Sequence, residues 1–200
     1  MTSLHSLAFV LGASFASGVN LYATVATLGL LQRNGIVHLP PSLAVLANPW
    51  VIGIALTLYL VEFVADKIPY VDSVWDAIHT FIRPPAAALL AYSAVGSVSE
   101  EWRLAAALLG GSVALTSHGT KASTRVAVNT SPEPVSNWIL SLGEDGLAIA
   151  LTWMAAAHPL ITFVLVSLLV AICIYIVVKL FGALRRGLSR IFRRPSIADC

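Results

Sequence analysis

Charge is what this sequence has least of. Only 11% of its 200 residues are Asp, Glu, Lys or Arg, against 58% hydrophobic, and mean hydropathy is +0.84. A soluble domain carries about 25% charged residues. The deficit excludes an ordinary water-soluble globule and points to a multi-pass protein of the cell membrane, surrounded by lipid. Cysteine is nearly missing as well. Cys173 lies inside an apolar run and Cys200 is the last residue, so no disulfide framework is implied. A terminal cysteine also lacks the three following residues of a prenylation box. No nucleotide-binding loop, nucleophile elbow, zinc motif or haem box is present. The expectation is therefore no cofactor and no metal, with an enzyme as the weaker reading.

The charge that does occur is unevenly placed. Net charge is +2, yet Lys179, Arg185, Arg186, Arg190, Arg193 and Arg194 all fall near the C-terminus. Without them the body is slightly acidic, so basicity gives no argument for nucleic acid. It marks a tail suited to anionic headgroups. The expected organisation is one integral membrane domain over residues 1–182 and a basic cytoplasmic tail over 183–200. So short a chain also makes a homo-oligomer an expectation.

Long apolar runs place the crossings. Ala44 to Val64 and Pro159 to Phe181 each meet the roughly 20-residue length of a span. Leu4 to Leu31 is a third, studded with Gly12, Ser14, Ser17, Gly18 and Asn20. Small and polar residues on a span are usually packing contacts, and they can line a path. No Lys or Arg precedes this segment, which favours a first span over a signal peptide. Pro85 to Val98 and Leu104 to Thr116 are short and read as a thin helical hairpin or as half-helices. Val135 to Ala157 is long enough, with "GEDG" (Gly143 to Gly146) near its middle. The expected fold is all-α, with about six crossings, or four plus re-entrant half-helices. The bias of Lys and Arg then puts both termini in the cytoplasm. "LGASFA" (Leu11 to Ala16) and "LGGSVA" (Leu109 to Ala114) resemble each other, which raises a 3+3 inverted repeat as a further reading.

The scarce charges form patterns. In "SHGTKASTR", His118, Lys121 and Arg125 fall at i, i+3 and i+7, inside an arc of roughly 60° on a helix. Glu62 and Asp66 are four apart at the end of the second span, with Lys67 next. In "VDSVWDAIHTFIRP", Asp72, Asp76, His79 and Arg83 share one face, with Val74, Trp75, Ile78 and Phe81 opposite, and Pro84 ends the helix. That segment reads in three ways. It can lie at the interface with Asp72 as N-cap. It can turn its charged face inward onto a polar cavity. It can also ligate a metal through Asp72, Asp76 and His79. Glu144 and Asp145 sit at mid-depth of a span, where a carboxylate costs about 2.5–3.5 kcal/mol. Flanking glycines would permit a broken helix there. These acids are the candidate partners of the basic stripe. The alternative for Lys121 and Arg125 is snorkelling to headgroups. "NTSPEPVSN" reads as a helix break, with Ser131 as a cap.

Four of these pieces in order resemble one family of small bacterial membrane proteins, catalogued as domain of unknown function 4126. They are E-x3-DK-x-P-x2-D from Glu62, H-x3-RP from His79, H-x2-K-x3-R from His118, and S-x2-ED from Ser141. The resemblance covers about Leu11 to Phe181 and departs from the family pattern at "NTSPEPVSN". It supports the choice of residues and names no substrate. The leading functional expectation is a transporter or channel with an acid/base cluster that couples ions or protons to movement of a small solute. The rivals are a lipid-binding protein or enzyme acting on a phosphate-bearing lipid, and a scaffold without activity.

Overall fold

The chain folds into helices at almost every position of the computed structural model, which describes residues 3–96, 98–130 and 134–192. Among them there is no strand. The helices are α1 (Ser3–Val19), α2 (Leu21–Arg33), α3 (Pro49–Ala65), α4 (Val71–His79), α5 (Arg83–Ala94), α6 (Glu100–Val128), α7 (Pro134–Ala157) and α8 (Pro159–Phe192). A 3-10 helix, Pro41–Ala47, precedes α3.

α1 is the central helix, buried on nearly all sides from Ala8 onward by α5, α6, α7 and α8. Its small residues make that possible, because backbones can approach closely. A Cβ at Gly18 would collide with Ser117 and with the Ala114 carbonyl of α6. One at Gly110 would come within 2.7 Å of the Ser14 hydroxyl. The two look-alike segments, Leu11–Ala16 and Leu109–Ala114, therefore touch each other across the α1–α6 contact.

The first apolar run is not one continuous helix. It breaks at Asn20, whose extended backbone (φ −149°, ψ 102°) caps α2 while its side-chain oxygen accepts from Ala23 N–H at 2.9 Å. The second run is bent as well. Asn48 caps α3 and Pro49 occupies its first turn, and the 3-10 helix meets α3 at 65°. By contrast "GEDG" does not break α7, which is continuous from Pro134 to Ala157. Gly143 and Gly146 face open space. α6 carries the whole basic stripe as one helix of 29 residues. α8 continues to Phe192, through the start of the basic tail. The cap expected at Ser131 and the tail beyond Phe192, with Arg193, Arg194 and Cys200, lie outside the described residues.

Two helical segments, Val135–Ala157 and Pro159–Lys179, are long and apolar enough to cross a membrane, or three if the bent pair Pro41–Ala65 forms one span. The surface fits a bilayer. Trp50, Val74, Phe81, Leu108 and Val164 are among many large apolar side chains turned outward, while Glu62, Asp66, Asp72, Asp76, Arg83, Lys121 and Arg125 are buried. This reverses the distribution of a soluble protein.

Gly18→Ala should destabilise the protein by about 1–3 kcal/mol, because backbone at Ala114 cannot give way. Gly143→Ala should be neutral, or stabilising by up to about 1 kcal/mol through helix propensity. Thermal unfolding of the two variants in detergent, each against wild type, measures both effects.

Candidate functional site

The helical spacing of the basic stripe places His118, Lys121 and Arg125 on the buried face of α6. The acids come from elsewhere: Glu62 from α3, Asp66 just after it, Asp72 and Asp76 from α4, Glu144 from α7. Arg83 adds a third cation from the start of α5. Lys121 Nζ lies 2.6 Å from Asp66 Oδ2, 3.5 Å from Glu62 Oε1, 3.6 Å from Glu144 Oε2 and 3.9 Å from Asp76 Oδ1. Arg83 pairs with Glu62 at 2.7 Å and with Asp76 at 3.4 Å. Arg125 pairs with Glu144, with Asp66 at 3.4 Å and with Asp72 at 3.5 Å. Arg83, Arg125, Glu62, Asp66 and Asp72 are each 0% exposed, and Lys121 is 4%. Snorkelling of Lys121 and Arg125 to headgroups is thus overturned, because neither side chain reaches the surface.

The break at Asn20 completes the site. The last carbonyls of α1 point at its cations: Gly18 O accepts from Arg83 at 3.2 Å and Val19 O from Lys121 at 3.3 Å. The negative end of a helix favours such partners. His118 Nδ1 faces Arg83 at 2.8 Å. Guanidinium can only donate, so Nδ1 carries the lone pair and the ring is the neutral Nε2–H tautomer. Its Nε2 donates to Asp76 O at 3.0 Å, with Thr80 Oγ1 at 2.9 Å. His79 stands at the margin. Its Nδ1 donates to Trp75 O at 2.8 Å and its Nε2 meets the Tyr22 hydroxyl at 3.0 Å. Burial lowers the His79 pKa, although the bond to Trp75 opposes that.

α4 turns its charged face inward and leaves Val74, Ile78 and Phe81 outside. The interfacial orientation is therefore overturned. Asp72 is not the N-cap, which is Tyr70, held at φ 70°. Asp72 Oδ1 instead accepts from Ser73 N–H at 2.6 Å and Asn129 Nδ2 at 2.7 Å. α4 ends at His79, four residues before Arg83 begins α5, so Pro84 does not end this helix and lies instead in the first turn of α5. Among the described residues, no group of three His, Cys, Asp or Glu side chains is arranged to hold a metal. Recesses of about 600 Å³ beside Val10, Trp102 and Leu109, and about 420 Å³ beside Tyr22, Leu58 and Leu90, include none of the charged residues of the site.

Besides the two histidines, two of the expected residues, both of them charged types, stay outside the ion-pair network. Lys67 Nζ donates to Phe63 O at 2.9 Å and Ser141 Oγ at 3.2 Å, over the Phe63 ring. Asp145 pairs with no cation among the described residues; its Oδ1 accepts from Asn20 Nδ2 at 2.9 Å. Adjacent residues on a helix diverge by about 100°, so Glu144 and Asp145 serve different partners. Sequence reasoning missed Tyr22, Asn129 and the capping role of Asn20. An Asn before a fresh apolar run is an N-cap signal, and it pointed to that last one.

The ion-pair network holds five acids against three bases, six against four with Asp145 and Lys67 added, and several of its carboxylate oxygens are left without a donor. Glu62 Oε2, Asp66 Oδ1, Asp72 Oδ2, Asp145 Oδ2 and both oxygens of Asp76 have no hydrogen-bond donor. Each is a buried polar atom left unsatisfied, a costly state for a carboxylate.

A family model described as a domain of unknown function (DUF4126) matches residues 7–179 of the chain. No curated protein and no solved structure matches it.

Asp76 gives the site a pH dependence. Burial raises its pKa from 3.8 to about 6, against the pull of Lys121 and Arg83 and with help from Asp66 and Glu144. A raised acid stabilises the fold fully below its unfolded pKa and loses that contribution as pH rises through the folded value. Asp76→Asn should therefore match wild type near pH 4 and exceed it by up to about 3 kcal/mol above pH 6.5. Stability in detergent across that range checks it; a difference independent of pH would contradict it.

Proposed function

This chain belongs to the DUF4126 family, and on that premise we propose that it is a small multi-pass membrane protein whose acid/base cluster couples protons or cations to movement of a small solute or ion. The acid surplus inside the protein carries this reading. Five acids paired with three bases, or six against four once Asp145 and Lys67 are counted, leave a buried surplus of negative charge that a proton or another cation must neutralise. Buried ion pairs seldom add stability over apolar packing, so a group of this size is better explained by a task than by the fold.

The same geometry weighs against a phosphate-bearing lipid as ligand. Lys121, Arg83 and Arg125 already face two or more carboxylates each, and the surplus would repel another anion. In this reading six segments cross or partly cross: α1 with α2, the bent pair ending in α3, then α5, α6, α7 and α8. α5 has 12 residues and is a half-helix, too short to cross alone. Both termini lie in the cytoplasm. Since Arg83, Lys121 and Arg125 are buried, that orientation rests on Lys67 and the basic tail. A 3+3 repeat would relate the touching segments of α1 and α6, and a homo-oligomer would suit so small a chain.

Glu62→Gln removes half of the charge facing Arg83 and should lower flux at least about tenfold, the loss of about 1.4 kcal/mol in the rate-limiting step. Purified protein in liposomes with internal pH and ion reporters provides the measurement. Wild type and variant leaking identically across a broad panel of ions would sink the transport reading.

A further inference from the structure

Asp145 differs from every other acid of the site. Glu62, Asp66, Asp72, Asp76 and Glu144 each make an ion pair. Asp145 makes none among the described residues, although it is 4% exposed and lies within an apolar span. Its Oδ1 holds one hydrogen bond, from Asn20, and its Oδ2 holds none. An ionised carboxylate in that position has no ion-pair partner in contact and almost no solvent. Lys121 and Lys67 attract it from further off, Glu62 and Asp66 repel it, and Tyr59 is a further titratable group near it. Neutralisation by a proton on Oδ2 is its simplest relief.

The partner of Asp145 is no ordinary amide. Asn20 sits at the break between α1 and α2, where its Oδ1 caps α2 through Ala23 N–H at 2.9 Å. The two carbonyls just before it, Gly18 O and Val19 O, hold Arg83 and Lys121. One side chain thus ties the unpaired acid to the helix break, and the break ties onto the paired cluster. Asp145 also lies on a buried polar stripe of α7 with Asn137, Ser141 and Thr152. At 1.5 Å per residue the stripe is roughly 22 Å long. Asn137 donates to Asn129, Ser141 accepts from Lys67, and Thr152 donates to Thr24 of α2 at 3.4 Å. Polar groups therefore flank Asp145 in both directions along the helix.

We propose that Asp145 is the proton-carrying group of this protein and that Asn20 is the positioning residue that transmits its charge state to Arg83 and Lys121. The proposal rests on the transport reading above and names its coupling ion as the proton. An O–H bond forms at Oδ2 when the proton enters and breaks when it leaves. No electrons move. The bond from Asn20 is charge-assisted while Asp145 is ionised and weakens when it is neutral. Protonation thus loosens the hold on Asn20, and with it the cap of α2 and the carbonyls facing the two cations.

Infrared spectra of the purified full-length protein, recorded across pH, test this directly. A carbonyl-stretch band of a buried protonated carboxyl should disappear as pH rises. That band should survive Asp76→Asn, vanish in Asp145→Asn, and shift in frequency in Asp145→Glu and in Asn20→Ala. The Glu variant keeps the assignment testable if Asp145→Asn does not fold, because a frequency shift follows the residue itself. A pH-sensitive band set that is unchanged in Asp145→Glu, or no such band at any pH where the protein stays folded, overturns the proposal. Liposome flux on the same preparations separates it from the transport reading. An Asp145 band with no flux in wild type supports the protonation site and counts against transport. Proton flux in wild type with no Asp145 band leaves transport standing and removes Asp145 as carrier.

Discussion

The ammonium of Lys121 is the interaction on which the rest of the structure turns. It reaches Asp66 and Glu62 at the end of α3, Asp76 on α4, Glu144 on α7 and the last carbonyl of α1. Four helices besides its own are thereby referred to one charge. Burying that ammonium is expensive, and only close, multiple partners offset the loss of water. The converse is more severe. Take Lys121 away and four carboxylates face one another with Arg83 and Arg125 alone to balance them. The arrangement is costly in either direction, which is why a role in binding or movement explains it better than stability does.

Around this centre the protein is organised in reverse of a soluble domain. Apolar side chains of α3, α4 and α8 face outward and the charges of the cluster face inward. α4 shows the logic in its smallest form. Nine residues, Val71–His79, present Asp72, Asp76 and His79 to the cluster and Val74 and Ile78 to the outside. Irregular backbone is found at the same place. Membrane helices tolerate a break where freed backbone groups find protein partners. At Asn20 they do, since the carbonyls released by the break are taken up by Arg83 and Lys121. At Gly143 and Gly146 no neighbour needs a break, and α7 runs straight through.

Much of the site was legible in the sequence because its members sit on regular helices. The spacing of His118, Lys121 and Arg125 specifies a single face, and the spacing of Asp72, Asp76 and His79 another. Scarcity of charge did the remainder, since few acids were available to answer three cations. The family match over residues 7–179 agrees with the resemblance carried by those same pieces. What could not be read was direction in space. Glu144 and Asp145 are neighbours in sequence, and periodicity alone does not say which one meets Arg125 and which one meets Asn20. The inward turn of α4 was undecided for a similar reason. An amphipathic helix shows two faces but not which of them meets lipid. Glycine misled at "GEDG", where it permits a break without requiring one, while Asn20 made its break through a cap that looked like a packing contact.

The central claim is that acids and bases remote in the chain meet as buried pairs, and a double-mutant cycle on Lys121 and Asp66 tests it most directly. Lys121→Met and Asp66→Leu should each destabilise the protein in detergent, by up to about 3–5 kcal/mol, because each removes the other's nearest partner, at 2.6 Å, and leaves only the longer contacts, Arg125 for Asp66 and Glu62, Glu144 and Asp76 for Lys121. The double variant should lose less than the sum, with a coupling of about 1–3 kcal/mol. Single effects that simply add, within about 0.5 kcal/mol, would mean that the two side chains do not meet and would contradict the account.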